Sequence, residues 1–146
     1  MKFIFLIIFP MVMPGLTVWH NNLDEAKQLA LQQHKHILLN FSGSDWCGPC
    51  IRMHKEIFDD AGFSIMADTE LVMVNADFPR LKKNQLSAVQ QKLNDQMADE
   101  YNAQGNFPCT ILLDAKGKTL KEWDGLPDES AIEFTVEVKN IIDGDK

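Results

Sequence analysis

Runs of apolar residues separated by polar loops divide the chain into alternating helix-like and strand-like stretches. Asn22-Leu23-Asp24-Glu25 opens a helix: Asn22 can cap it, and Glu25 follows three residues later, as in a capping box. Leu23, Ala26, Ala30 and Gln33 share one face, which Leu29 and Leu31 widen. His36-Ile37-Leu38-Leu39-Asn40-Phe41 is a near-continuous apolar run, which suits a strand covered on both sides. After a loop at Ser42-Gly43-Ser44-Asp45, the pattern from Gly48 to about Phe58 is helical, with Ile51, His54 and Phe58 three and four residues apart. Residues 70–77 read as a second buried strand. Leu86 to Tyr101 reads as a long helix with Leu86, Val89, Leu93, Met97 and Tyr101 on one face. Thr110 to Asp114 is a third strand, Ala115-Lys116-Gly117-Lys118 a hairpin turn, and Thr119 to Trp123 the returning strand. Pro127-Asp128 begins a last helix carrying Ile132, Val136 and Ile142. Strands alternating with helices predict an α/β domain with a largely parallel core, and the closing hairpin makes its sheet mixed.

The first residues do not fit this scheme. Met1-Lys2 precedes an apolar run from Phe3 to Met13, and Pro14-Gly15 ends the run short of the roughly 20 residues a membrane span needs. A basic start and a short apolar run predict a secretory signal peptide at residues 1–17, with residues 18–146 as the domain and an uncleaved anchor as the other reading. A periplasmic or secreted protein is therefore expected, in a compartment where disulfides form and persist.

Composition narrows the class. At 146 residues, 45% hydrophobic and 24% charged, the chain supports one ordinary core and is neither disordered nor a disulfide-stapled miniprotein. Its net charge of −7 argues against nucleic acid as a partner, because phosphate neutralisation requires a basic face. No long heptad pattern points to self-assembly, so a monomer is expected. Three cysteines are too few for a framework, and their odd number leaves at least one without an intrachain partner.

The chemistry concentrates at Trp46-Cys47-Gly48-Pro49-Cys50. Cys47 and Cys50 lie three residues apart where a loop passes into a helix, a spacing that brings two sulfurs within bonding reach on a first helical turn. Cys47 would sit at the helix N-terminus, where unpaired N–H groups and the dipole favour thiolate. Pro49 suits an early helical position, where its missing N–H is no loss. The predicted reaction is exchange: Cys47 attacks a substrate disulfide and Cys50 resolves the mixed disulfide. A zinc site would need a second ligand pair, and no other Cys-x-x-Cys or close His pair is present, so neither a metal nor another cofactor is expected.

Trp46-Cys47-Gly48-Pro49-Cys50 is the active-site sequence of thioredoxin, and the longer stretch from Phe41 to Cys50 resembles exported bacterial thioredoxin-like proteins. Downstream, Gly105-Asn106-Phe107-Pro108-Cys109-Thr110-Ile111-Leu112-Leu113 resembles the cis-proline segment of that family. The resemblance spans about residues 18–146. It implies a thioredoxin fold, a central mixed β-sheet flanked by helices, with Pro108 cis and facing the cysteines. It further implies that the backbone at Phe107 pairs with an extended substrate segment, with Trp46, Gly48 and Pro49 beside it. Disulfide-containing proteins would be the substrates, and a Cys-Gly-Pro-Cys pair suits the reducing end of the family. A reductant in an oxidising compartment needs a membrane or soluble electron donor. An oxidase, an isomerase or a non-catalytic metal- or partner-binding module is the other reading.

The chain also departs from the family pattern. Asn40 stands where thioredoxin has a buried carboxylate, and the proline that kinks the active-site helix is missing near Lys55. Asp45 reads as a solvated loop residue, with proton relay as the sharper alternative. Cys109 follows the cis-proline where Thr is common; it reads as a buried small residue or as a third redox thiol.

Overall fold

A computed structural model describes residues 17–146. The segment expected to direct export lies, but for Thr17, outside the described residues. The elements run β1 (Trp19–His20), α1 (Leu23–Gln33), β2 (His36–Ser42), α2 (Gly48–Met53), α3 (Ala61–Glu70), β3 (Leu71–Asp77), α4 (Ala88–Tyr101), β4 (Cys109–Leu113), β5 (Thr119–Asp124) and α5 (Ala131–Gly144). They form a five-stranded sheet in the order β1-β3-β2-β4-β5. β1, β3 and β2 are mutually parallel, while β4 runs antiparallel to β2 and β5 antiparallel to β4. The expected mixed α/β sheet is therefore present, with one further short edge strand, β1.

The strand period of two sends alternate side chains into two separate cores. Ile37, Leu39 and Phe41 of β2 join Val72, Val74 and Ala76 of β3 under α1 and α4. Leu38, Met73 and Leu112 point the other way and pack with Phe58, Phe63, Trp123, Phe134 and Val138 under α3 and α5. Burial on both faces is why β2 reads as a continuous run.

Three expectations need correction. First, residues 61–70 form α3, which the pattern did not predict: Asp60 caps it through hydrogen bonds from the N–H groups of Gly62 and Phe63, and Glu70 ends the helix rather than opening β3. Second, α5 begins at Ala131, where Ser130 and Glu133 form a capping box, and not at Pro127. Its buried residues are Phe134, Val138 and Ile142, whereas Ile132 and Val136 are exposed. Third, α4 is capped by Ser87 and turns Asn94 and Met97 inward while Val89 faces out. Asn94 is tolerated inside because its amide donates to the Asp77 carbonyl at 2.8 Å. The helical stretch expected from Gly48 to about Phe58 is present, with a change of pitch: α2 stops at Met53 and His54–Phe58 is a π-helical turn. A widened turn is one of the recognised sources of helix bending, and it lies where the family's proline is missing.

Candidate functional site

The parallel strands β2 and β3 end side by side, with Ser42 opposite Asp77, and the chain leaves β2 into a tight loop. The N–H groups of Trp46 and Cys47 both return to the Gly43 carbonyl, at 3.2 and 2.8 Å. Gly43 is required there by space, since a Cβ on it would stand 2.2 Å from the Trp46 ring. The loop delivers Cys47 to the N-cap of α2, with Pro49 in the first turn.

Cys47 and Cys50 are joined as a disulfide with their Cα atoms 5.2 Å apart. The Cys50 N–H donates to Cys47 Sγ at 3.2 Å. Both cysteines are largely covered, at 4% and 2% exposure, so the pair lies nearly flush with the surface rather than projecting from it. Gly48 and Pro49, between them, are exposed.

The second loop, before β4, meets the first. The Phe107–Pro108 bond is cis, and Pro108 is buried. The Phe107 ring stands edge-on to Trp46 at 5.4 Å and to Phe78 at 5.5 Å, so three aromatic residues from three loops share one surface. The Pro108 carbonyl accepts from the Gly125 N–H at 2.8 Å, which ties this loop to the end of β5.

Cys109 starts β4 fully buried, opposite Phe41 on one side and Asp124 on the other. Burial, helped by the carboxylates of Glu122 and Asp124, pushes its thiol up to about 12. At neutral pH it is therefore a protonated, covered thiol.

Beneath the disulfide the strand ends are polar. Buried Asn40 donates to Asn75 Oδ1 and accepts from Thr110 Oγ1, both at 3.1 Å. The Ser42 hydroxyl reaches Asn75 at 3.1 Å, and Ser44 donates to both oxygens of Asp77 at 2.9 and 2.6 Å. An open cleft of about 410 Å³ borders this network and is lined by Cys50, His54, Asp59 and Asn75 among others. Burial holds the His54 imidazole below its usual range, against the opposing pull of Asp59 and Asp77. Its ring packs on Trp19 at 5.0 Å and Phe58 at 5.3 Å. Among the described residues, no three His, Cys, Asp or Glu side chains are grouped so as to hold a metal ion.

Sequence reasoning missed the segment after β3. Phe78, Arg80, Leu81 and Asn84 form a strap over the active-site loop. Asp45 accepts the N–H groups of Arg80 and Leu81 at 2.9 and 3.0 Å and the Asn84 amide at 3.0 Å. Those bonds, the Arg80 N–H foremost, hold its carboxyl below the usual range. Trp46 Nε1 donates to the Phe78 carbonyl at 2.7 Å, and the Arg80 guanidinium lies 3.6 Å over the Trp46 ring. Asp45 is thus a loop anchor rather than a free solvated residue. The available signal was positional: the strap follows the carboxyl end of a central parallel strand, where ligands of open α/β sheets gather.

A mixed sheet between helix layers, with a Cys-x-x-Cys disulfide capping a helix and a cis-proline loop beside it, defines the thioredoxin-like class. Residues 23–137 match the family model of the Thioredoxin-like domain, and the chain belongs to that family. It is 40% identical over 96 residues to the disulfide bond reductase DsbH of Chlamydia pneumoniae, covering 66% of this chain and 56% of that protein. It is 26% identical over 128 residues to the thioredoxin-related protein DsbJ of the same organism, covering 88% of this chain and 36% of that one. The chain thus spans about half or less of the length of these curated relatives. Among solved structures, a DsbH oxidoreductase superposes with a TM-score of 0.80 at 30% identity, over 97% of this chain and 95% of the other. A thioredoxin from Thermus thermophilus, at 18% identity and a TM-score of 0.64, over 86% of this chain and 88% of that one, shares the fold.

Proposed function

We propose that the protein is an exported thiol–disulfide oxidoreductase that reduces protein disulfides. The observation that carries this reading is the Cys47–Cys50 disulfide at the N-cap of α2, with the Cys50 N–H directed at Cys47 Sγ at 3.2 Å. That N–H is placed to stabilise a thiolate on Cys47, the form that attacks. In the reduced protein, Cys47 thiolate attacks one sulfur of a substrate disulfide and releases the other as a thiolate. Cys50 then loses its proton and attacks Cys47 Sγ, which restores the Cys47–Cys50 bond and frees the second substrate thiol. The substrate gains two electrons from the pair, and its two sulfurs take up the proton that Cys50 releases and one from solvent, which balances the proton Cys47 gave up on becoming a thiolate. A membrane or soluble dithiol donor then returns two electrons. Trp46, Gly48, Pro49, Phe107 and Pro108 form the surface on which the substrate segment lies, and the protein acts as a monomer.

The reducing direction is supported by the Cys-Gly-Pro-Cys sequence and by the similarity to a disulfide bond reductase. Export is supported by the apolar run at Phe3–Met13 and by the need for a compartment where disulfides persist. The test is the midpoint potential of the pair, set in graded thiol–disulfide buffers and read by trapping the thiols and weighing the protein. A value near about −270 mV identifies a reductant; one near about −120 mV identifies an oxidant and overturns the direction. Absence of any two-electron transition, with no insulin reduction lost on Cys47→Ser, overturns the enzyme reading itself.

A further inference from the structure

The chain carries a net charge of −7, yet residues 78–94 hold Arg80, Lys82, Lys83 and Lys92 and no acidic residue. The first three of these cations lie on the strap. Its fixing points are Asp45, bonded to Arg80, Leu81 and Asn84, and Trp46, bonded to Phe78. Lys82 and Lys83 lie between those anchors in a short 3₁₀ turn, closed by the Asn84 N–H on the Leu81 carbonyl at 2.9 Å. Asp45 and Trp46 are the two residues immediately before Cys47, so the strap is attached to the reactive loop itself.

These charges are available. Among the described residues, the ion pairs are made by His36, Arg52, Lys121, Lys139 and Lys146, and none involves Arg80, Lys82 or Lys83. Asp45, the carboxylate that anchors the strap, is occupied by backbone N–H groups and an amide. Arg80 is held in place by its stack on Trp46, which lowers the entropy cost of using it. Leu81, 48% exposed, adds an apolar contact among the cations.

We propose that Arg80, Lys82 and Lys83 form a docking surface for an acidic segment of the substrate flanking the disulfide that Cys47 attacks. The inference rests on the exchange reading above and adds a substrate class to it. Such a patch acts mainly by steering the encounter, so its effect appears in kcat/KM and fades with salt.

The test uses the whole chain, re-reduced by dithiothreitol with the peptide-only rate subtracted, and three peptides with the same internal disulfide, flanked by Glu, by Gln or by Lys. The Glu peptide is expected to exceed the Gln peptide roughly tenfold in kcat/KM at low ionic strength, and the ratio to fall toward one at about 0.5 M salt. The double variant Lys82→Glu/Lys83→Glu should invert the order of the Glu and Lys peptides. Lys116→Glu/Lys118→Glu, the same charge change on the distant β4–β5 turn, should keep it. Turnover indifferent to peptide charge, or a preference unmoved in the strap variant, overturns the inference alone. Binding to phosphatidylglycerol vesicles that depends on Lys82 and Lys83, without any peptide preference, also overturns it and assigns the patch to a lipid surface. No turnover of any peptide removes the exchange reading, and the inference with it.

Discussion

Thr110 Oγ1 donates to Asn40 Oδ1 at 3.1 Å across the β2–β4 pair, with both side chains buried. Asn40 in turn donates to Asn75, so its amide uses both of its functions. A carboxylate at this place would keep the acceptor and lose the donor. Asn40→Asp is therefore expected to raise the folded-state pKa of the new acid above its unfolded value near 3.9. A raised carboxyl pKa means that stability is intact below the unfolded pKa and lost as pH rises toward the folded one. The variant should match the parent near pH 3.5 and fall about 1–3 kcal/mol below it at neutral pH. Urea unfolding of both proteins across that range measures this; equal stability at pH 7 would refute it.

Cys109 should behave as a structural thiol. It is fully buried, and its thiol is pushed up to about 12 by burial and by the neighbouring carboxylates. In the reduced native protein at pH 8, Cys47 should alkylate first and Cys109 only on unfolding. Cys109→Ser should leave the midpoint potential of the Cys47–Cys50 pair within about 30 mV of the parent. Fast labelling of Cys109 in the native protein, or a larger shift, would instead make it part of the redox chemistry.

His54 predicts a pH dependence of stability. Burial holds its folded pKa below the unfolded value of about 6.5, with Asp59 and Asp77 opposing the shift. The unfolded chain therefore binds the proton more readily than the folded one. Stability tied to this residue is full above about pH 6.5 and falls as pH drops below it, until the folded imidazole also titrates. His54→Phe would keep the ring stacking on Trp19 and Phe58 while removing the proton site. The loss of denaturation midpoint between pH 7.5 and 5 should be smaller in this variant than in the parent.

The strands and the cysteine pair were legible because their signals are local. A buried strand announces itself as an apolar run, and Cys-x-x-Cys is contained in four residues. The helix faces were not. In α5, Ile132 with Val136 and Phe134 with Val138 and Ile142 both satisfy helical spacing, and periodicity cannot choose between them. Packing chooses Phe134, whose ring lies 5.0 Å from Trp123 and 6.0 Å from Phe63. Helix α3 escaped notice because Gly62 in its first turn reads as loop, while its cap Asp60 lies against the end of the preceding helix. The strap was invisible for another reason: Asp45 and Arg80 are 35 residues apart, and nothing local marks their bond.

The contact between Gly43 and Trp46 yields the last prediction. The loop turns back so tightly that a methyl group at residue 43 would lie within 2.2–2.6 Å of three atoms of the indole. Gly43 itself is buried between β2 and the ring, so the backbone has little room to yield. In Gly43→Ala the indole must move, and with it go the bond to Phe78, the Arg80 stack and the edge contact with Phe107. Overpacking of this kind costs about 1–3 kcal/mol. The damage should also reach the chemistry, because the displaced ring adjoins Cys47 in sequence and forms part of the substrate surface. The expected result is a lower urea midpoint together with slower insulin reduction, while the midpoint potential, set by the Cys47–Cys50 pair on α2, changes little. A variant with parental kinetics and parental stability would show that the loop can relax without moving Trp46, and that the close fit is not what positions it.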